Sequence, residues 1–397
     1  MLAINGGEPV CKKALPARMS YGKSELAMID EVLNFYISRD QDPPYQGVYE
    51  ERFCNEFAEF HGGGYADAVA TGTAAVYVAL AALNLPKGSD VLISPVTDSG
   101  PLNCIILQGY NPVLLDSAPD SYNINVTHFL ERITPNTKAI IVIHTAGEPL
   151  QIDKICEEAR KRDIKVLEDC SQAPGALCNG KKVGTFGDIS AFSTMYRKNL
   201  IAGSSSGIVY TKNYDIYQMA LGHADRGKQI WRDDINLNDP SHALFPALNF
   251  NTDEISCAIG VASLGRLQET IDKRILFIKE FIKELNEKSD VCRPYNFNDG
   301  FSPFFFPVFV DTNKISCSKI EFAKALIAEG ISGNEHYGGV ISSWEWAKPY
   351  MKDSFVAKNA SDTRDNTFNL HINEKYGEQE LADIISALLK VEKFYKK

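Results

Sequence analysis

Short apolar runs of strand type alternate with amphipathic stretches of helical spacing from about residue 65 to residue 211. The run from Lys138 to His144 is apolar enough to be buried on both faces of a sheet, as central parallel strands are. An alternation of strands and helices is typical of a parallel sheet covered by helices. The pattern therefore predicts an α/β fold with a mixed, mostly parallel sheet of about seven strands.

The pattern changes in the second half of the chain. Residues 222–250 are polar and predict a long loop, which in a compact domain usually serves function or binds a partner. A long helical pattern follows from Asp253 to about Lys288, and then one strand at 304–310 and helices at 318–329 and 378–395. We predict an N-terminal arm (1–20), a large α/β domain (21–265) and a smaller C-terminal α+β domain (266–397).

Composition narrows the class of protein. The net charge of −10 argues against nucleic acid or an anionic membrane as the main partner, since both favour clustered Lys and Arg. No apolar run reaches the ~18 residues that cross a bilayer, and the start does not resemble a signal peptide.

The nine cysteines form no Cys-x-x-Cys pair and the seven histidines no His-x-x-x-His pair. We expect reduced thiols, a cytoplasmic protein and no metal site.

An anion site is predicted where the first strand meets its helix, at Thr71-Gly72-Thr73. Free N–H groups, hydroxyls and the positive end of the helix dipole meet there, and a phosphate suits them. The same three residues also make an ordinary helix cap, and both interpretations stay open here. A dinucleotide motif is disfavoured because Asp67 stands where the pattern beginning at Gly62 needs glycine.

Three polar side chains stand where two later strands end. Asp169 closes one apolar run, Ser193 closes another, and Lys198 follows shortly after. A lone amine can hold an aldehyde as a Schiff base, and a carboxylate can keep a pyridine nitrogen protonated. This combination favours pyridoxal phosphate as the cofactor, although each residue alone could be a surface charge, a cap or a salt-bridge partner.

The order and spacing of several motifs together resemble the sugar aminotransferases of the DegT/DnrJ/EryC1/StrS type, which are fold-type-I pyridoxal phosphate enzymes. The similar segments extend over nearly the whole chain: Ile4–Pro9, Thr71–Ala75, Glu168–Ala176, Gly184–Ser193, Lys198–Leu200 and Asn249–Glu254.

The resemblance implies a role for each matching residue. Gly72, Thr73 and Ser193 bind the cofactor phosphate; Asp169 pairs with the pyridine nitrogen, and Gln172 meets the hydroxyl side of the ring. Lys198 is implied to be the Schiff-base lysine and proton carrier. Asn249 is implied to reach the phosphate of the other subunit, and the resemblance therefore implies a homodimer with shared active sites. His336 and Tyr337 resemble a pair near the substrate entrance.

The sequence also departs from the family pattern. An aromatic residue usually follows the strand that ends near Pro95 and stacks on the cofactor ring, but this chain has Val-Thr-Asp-Ser-Gly at 96–100. Ser204–Ser206 replaces a Gly-Glu-Gly segment, and Asn251 stands where arginine is common. We therefore expect the ring stacking and the substrate contacts to differ from those of the family.

The implied reaction moves an amino group from an amino acid, commonly glutamate, to a keto-sugar that is often nucleotide-linked. Three alternatives stay open: a cyclitol or other non-nucleotide ketone as acceptor, a sugar dehydratase of the same fold, and a catalytically silent homologue that binds cofactor or sugar and regulates a partner. Dehydratases of this kind carry histidine in place of the lysine, so Lys198 argues against that one. The silent homologue is kept open by the missing aromatic residue and the altered serine segment.

Overall fold

A seven-stranded sheet lies at the centre of the computed structural model, which describes residues 1–18 and 21–397. The strands in chain order are β1 (Tyr65–Val69), β2 (Asp90–Ile93), β3 (Asn111–Leu114), β4 (Thr137–Ile143), β5 (Lys165–Asp169), β6 (Leu177–Cys178), β7 (Lys181–Lys182), β8 (Ile189–Ser193), β9 (Gly207–Thr211), β10 (Cys292–Pro294), β11 (Phe306–Val310), β12 (Gly333–Asn334) and β13 (Thr367–Leu370). The central sheet has the order β1-β9-β8-β5-β4-β2-β3. Strand β9 is antiparallel to both of its neighbours, β1 and β8, and the four other strand pairs of this sheet are parallel, so the predicted α/β fold with a mostly parallel sheet is confirmed.

Helices cover both faces of this sheet and continue into the C-terminal part. They are α1 (Lys23–Ile37), α2 (Val48–Phe60), α3 (Gly72–Ala82), α4 (Ser99–Leu107), α5 (Val126–Glu131), α6 (Ile152–Arg160), α7 (Tyr214–Ala224), α8 (Glu254–Gly265), α9 (Leu267–Lys288), α10 (Lys319–Ala328), α11 (Lys358–Asn366) and α12 (Glu378–Tyr395). None of the described helices combines the length and the apolar character needed to span a membrane.

Strand β4 shows why the sheet must be covered on both sides. Its alternate residues Ala139, Ile141 and Ile143 belong to one hydrophobic core, and Ile140 and Val142 to the other. All five side chains are buried. Because successive strand residues point to opposite faces, a continuous apolar run fits only a strand with a layer on each side. The prediction of a doubly buried strand is confirmed.

The long helical pattern predicted from Asp253 to Lys288 is two helices in the structure. α8 and α9 meet at Arg266, whose backbone leaves the helical region with ψ near 3°. Gly265 immediately precedes the break, and glycine is a weak helix former. The break coincides with the boundary predicted between the two domains, and the division itself stays a prediction. The predicted loop at 222–250 also begins later, because α7 continues through Ala224.

The C-terminal part contains a four-stranded antiparallel sheet of order β10-β11-β13-β12. The N-terminal residues pack against this part of the chain. The N–H groups of Ala3 and Val10 donate to the carboxylate of Glu329, at 2.9 and 3.0 Å, just after α10. Leu2 is buried there. The last two residues of the predicted arm, 19 and 20, lie outside the described residues.

Candidate active site

A cavity of about 240 Å³ opens at the carboxyl edge of the central sheet. β5 and β8 are parallel neighbours, with Asp169 opposite Ala191, so both strands deliver their last residues to this edge. In open α/β sheets, ligands bind in crevices at this edge. Six of the residues predicted from the sequence line the cavity together: Gly72, Thr73, Asp169, Gln172, Ser193 and Lys198.

The first turn of α3 forms one wall of the cavity. Thr71 caps the helix, since its side-chain oxygen accepts the N–H of Ala74 at 2.8 Å. The N–H groups of Gly72 and Thr73 have no partner within the helix, as in the first turn of any helix. A Cβ added to Gly72 would lie 2.4 Å from Cβ of Ser193, so only glycine allows α3 to approach the end of β8 this closely. The result is a cradle of N–H groups and hydroxyls suited to an anion.

The amine of Lys198 is held inside the protein without an ion-pair partner. The residue is buried, and Nζ lies 4.6 Å from the ring centroid of Phe304. Within the described parts of the chain, Nζ makes no hydrogen bond or salt bridge. Burial lowers the pKa of this amine, while the charges of Asp169 and Asp98 act in the opposite direction. A lysine with a lowered pKa is more often neutral and therefore a better nucleophile.

The Asp169 carboxylate is buried in the same cavity. Its Oδ1 accepts the N–H of Ser171 at 3.0 Å, and the Ser171 side chain also acts on the carboxyl as a hydrogen-bond donor. Burial raises the pKa of this carboxyl, the charge of Asp98 adds to the effect, and the hydrogen bonds of Ser171 and the charge of Lys198 oppose it. A buried carboxylate can accept a further hydrogen bond from a protonated ring nitrogen.

Gln172 connects the cavity to the segment after β12. Its Oε1 accepts the N–H of Ala146 at 2.8 Å, and its Nε2 donates to the hydroxyl of Tyr337 over 3.4 Å. Ala146 has a φ of 63°, an unusual conformation for a residue with a side chain, and the Gln172 hydrogen bond helps to fix it. Burial raises the pKa of Tyr337 to about 12, so the phenol stays neutral.

Two other predicted residues stand apart from the cavity. His336 is half-buried, and its Nδ1 is buried without a hydrogen-bond partner among the described residues. Asn249 is exposed, and its side-chain oxygen accepts hydrogen bonds from the backbone and side-chain nitrogens of Asn251, at 3.0 and 2.8 Å. Neither residue lines the cavity of its own chain.

Several lining residues were not predicted from the sequence as site residues. Ser171 and Met195 lie inside the motifs on which the prediction rested. The predicted residues next to them in the sequence were therefore the signal that could have located them. Thr97, Asp98 and Ser205 lie in segments that were noted only as departures from the family pattern. Phe304 could not be found in this way, because it comes from a segment more than 100 residues beyond Lys198 and only the fold brings it over the amine.

A buried cluster outside the cavity lining brings three potential metal ligands within 4.8 Å of one another: His144, Glu168 and Cys170. The Glu168 carboxylate is already occupied, since it accepts the N–H groups of Gly184, Phe186 and Gly187 and lies 3.2 Å from Nε2 of His144. These hydrogen bonds fix the loop between β7 and β8, so we assign the cluster a structural role.

The cavity residues fit pyridoxal phosphate. The cradle beside Gly72 offers N–H and hydroxyl donors to a phosphate, and Asp169 offers a buried carboxylate. Lys198 offers an amine without a hydrogen-bond or ion-pair partner among the described residues. Together they supply an anion site, a partner for a protonated ring nitrogen and a nucleophile for an aldehyde.

This combination of fold and site fits a transferase that uses pyridoxal phosphate. A model of the DegT/DnrJ/EryC1/StrS aminotransferase family matches residues 29–389, so the chain belongs to that family. The predicted family and the predicted class of enzyme, an aminotransferase, are confirmed.

One sequence relative and two solved structures illustrate the similarity. The GDP-perosamine synthase of Escherichia coli O157:H7 is 32% identical over 261 residues, which cover 63% of this chain and 68% of that protein. An aminotransferase from Psychrobacter cryohalolentis has a similar structure, with a TM-score of 0.87, 22% identity and coverage of 96% and 98% of the two chains. A GDP-4-keto-6-deoxy-D-mannose-3-dehydratase from E. coli with bound hydrated PLP has a TM-score of 0.85, 22% identity and coverage of 96% and 100%. The cofactor bound in the last structure agrees with the predicted cofactor.

Proposed function

We propose that this aminotransferase binds pyridoxal phosphate through Lys198 and transfers an amino group from an amino acid, such as glutamate, to a nucleotide-linked keto-sugar. The observation that carries the proposal is the unpaired amine of Lys198 in one cavity with the Asp169 carboxylate and the open end of α3. The similarity to a GDP-perosamine synthase supports a sugar as acceptor.

Each residue has a defined task in this proposal. Gly72, Thr73 and Ser193 bind the phosphate, and Asp169 holds a proton on the ring nitrogen. Gln172 lies on the hydroxyl side of the ring. When bound, the cofactor supplies an aldehyde that takes up amino groups and a ring that stabilises negative charge on the substrate carbon.

Lys198 has two tasks. Its amine is the nucleophile that binds the aldehyde, and burial favours this task because it increases the neutral fraction of the amine. When an amino donor displaces it, the freed amine moves a proton as general base and then as general acid. A lysine at this position also favours transamination over the dehydratase reaction.

A homodimer with shared sites completes the proposal. Asn249 lies outside the cavity of its own chain and is exposed, so its side chain is available to a second subunit. The nearby side chains of Leu244 and Leu248 are 48% and 60% exposed. Exposed apolar side chains that lie close together are typical of protein interaction surfaces. We propose that this segment packs against the partner and brings Asn249 to the partner's phosphate site.

The decisive experiment follows the colour of the cofactor-loaded protein. We expect an absorbance band at ~420 nm, because the enzyme amine is bound to the cofactor aldehyde. The band should disappear on addition of glutamate, because the enzyme amine is then released. Borohydride treatment followed by mass spectrometry should place a pyridoxyl group on Lys198. Lys198→Ala should abolish turnover and keep the dimer.

Other results would change the assignment. Normal turnover by Lys198→Ala, or an adduct on another lysine, would rule out the role of Lys198. A band that no amino donor discharges would favour the catalytically silent homologue. Keto-sugars with and without a nucleotide, tested beside a cyclitol ketone, identify the acceptor.

A further inference from the structure

The carboxylate of Asp98 stands in the cavity where the family resemblance implies an aromatic ring. Asp98 follows β2 and caps α4, since its Oδ1 accepts the N–H of Gly100 at 2.6 Å. Its neighbours Val96, Thr97 and Gly100 are buried, whereas Asp98 is exposed and lines the cavity. The cap therefore fixes the backbone and one oxygen, and the charge faces the cavity.

The position of Asp98 relative to α3 follows from Gly100. A Cβ added to Gly100 would lie 2.9 Å from Asp98 Oδ1 and 2.9 Å from Thr73 Oγ1. The carboxylate is thus held beside the first turn of α3, in the same wall of the cavity. The Asp98 side chain cannot move away from α3 without breaking the hydrogen bond that caps α4.

The charges in the cavity are unbalanced. Among the described residues that line it, the charged ones are Lys198, Asp169 and Asp98, one amine facing two carboxylates. Two further titratable groups lie within electrostatic range of Asp98: the phenol of Tyr337 and the thiol of Cys104. Burial raises the pKa of each to about 12, and the charge of Asp98 contributes to both shifts, so both stay neutral. The charge of Asp98 therefore acts on the other two ionisable groups of the cavity, where it favours the charged form of Lys198 and the neutral form of Asp169.

We propose that Asp98 is a positioning residue that stabilises positive charge on the nitrogen of Lys198, both in the free amine and when the amine is linked to the cofactor. The proposal for the linked form rests on the proposed function. In that form Asp169 serves the ring nitrogen, which leaves Asp98 as the carboxylate that stabilises positive charge on the Lys198 nitrogen. On linking, Nζ bonds to the aldehyde carbon, the aldehyde oxygen leaves as water, and the nitrogen takes one proton from solvent. A protonated C=N group is the more reactive electrophile towards an incoming amine.

The test uses Asp98→Asn, which removes the charge and keeps the cap. Asparagine is as good an N-cap as aspartate, because its side-chain oxygen also accepts the N–H of Gly100. In the cofactor-loaded dimer, the pH at which the ~420 nm band titrates should fall by about one unit, the size expected for losing one charge from a partly solvated cavity. The pH profile of kcat/KM should shift in the same direction. Asp98→Glu keeps the negative charge, so its ~420 nm band should titrate close to the wild-type pH.

A second readout needs no cofactor. Acetic anhydride reacts with the neutral form of an amine. In the cofactor-free protein, mass spectrometry of Lys198 acetylation over a pH series therefore measures the neutral fraction of this amine. The reaction should begin about one pH unit lower in Asp98→Asn than in wild type. Asp120→Asn is the matched control, since Asp120 is exposed outside the cavity and pairs with Arg293, and it should leave both titrations unchanged.

The possible outcomes separate this inference from the proposed function. If wild type gives a ~420 nm band and Asp98→Asn titrates like wild type, the inference is wrong and the proposed function stands. If wild type gives no band, the proposed function fails, and the acetylation series still decides the role of Asp98 for the free amine. An equal shift in Asp120→Asn would mean that overall charge is responsible and would also overturn the inference. Should Asp98→Asn not fold, Asp98→Ser replaces it, because serine caps a helix equally well.

Discussion

The chemistry of this protein depends on how a few buried charges are arranged at single residues. Lys198 is buried, which favours its neutral form, and two carboxylates in the same cavity favour its charged form. Asp169 is subject to the reverse balance, since burial favours its neutral form and Lys198 opposes that effect. A cofactor with a cationic ring nitrogen relieves the cost of burying Asp169, because it supplies the missing positive partner.

Asp169→Asn tests that pairing. We expect at least a ~100-fold lower turnover, since asparagine does not hold a proton on the ring nitrogen and ~100-fold is the lower range for a positioned acid or base. Its side-chain oxygen can still accept the N–H of Ser171, so the fold should be kept. The measurement is the steady-state rate with glutamate and a keto-sugar, together with a circular dichroism spectrum.

The control for Asp169→Asn is Asp188→Asn, the same chemical change at the opposite end of the pair formed by β5 and β8. Asp188 precedes β8 and accepts the N–H of Val166 at 2.8 Å, far from the carboxyl edge. The Asp188→Asn variant should keep its turnover within a few-fold of wild type. A nearly normal rate for Asp169→Asn would show that another group protonates the ring.

At the scale of elements, the sequence predicted most of what the strands determine and less of what the loops determine. The ends of β5 and β8 could be located from apolar runs that stop in polar residues, and the structure brings Asp169, Ser193 and Lys198 into one cavity. Asp98 and Ser205 lie in loops without periodicity, and the break at Arg266 lies inside a continuous helical pattern. Loop positions depend on tertiary contacts, which no local pattern contains.

The approach of α3 to β8 gives an element-scale prediction for Gly72. An alanine there would place its Cβ 2.4 Å from the Cβ of Ser193 and push the phosphate cradle apart. Overpacking of this kind costs about 1–3 kcal/mol, so we expect the Kd for pyridoxal phosphate to rise ~10-fold or more. Fluorescence titration of the cofactor-free protein measures this. Gly265→Ala is the matched control, because its Cβ would meet open space, and an equal loss of affinity there would contradict the steric argument.

At the scale of the whole molecule, the site of a single chain has every predicted phosphate ligand except Asn249. This residue lies beside the end of β1, where the carbonyl of Phe250 accepts the N–H of Ala70 at 2.7 Å and Asn251 bridges to Val69. The segment is therefore anchored close to the carboxyl edge of its own sheet while the Asn249 side chain is exposed. A two-fold dimer that joins these edges would give each cavity an asparagine from the other chain, because an isologous interface repeats every contact twice.

Mixing an inactive variant with a weakened one tests this arrangement, at a cofactor concentration too low to load Asn249→Ala alone. Lys198→Ala removes the amine from every site of its own dimer, and Asn249→Ala weakens the phosphate contact in every site of its own dimer. In a mixed dimer, the cavity that keeps Lys198 receives Asn249 from the other chain, so one of its two sites is intact. After unfolding and refolding together, we expect about a quarter of the wild-type activity, since random pairing makes half of the dimers mixed. Native mass spectrometry should verify the mixed dimers, and mixed dimers without recovered activity would mean that Asn249 acts within its own chain or not at all.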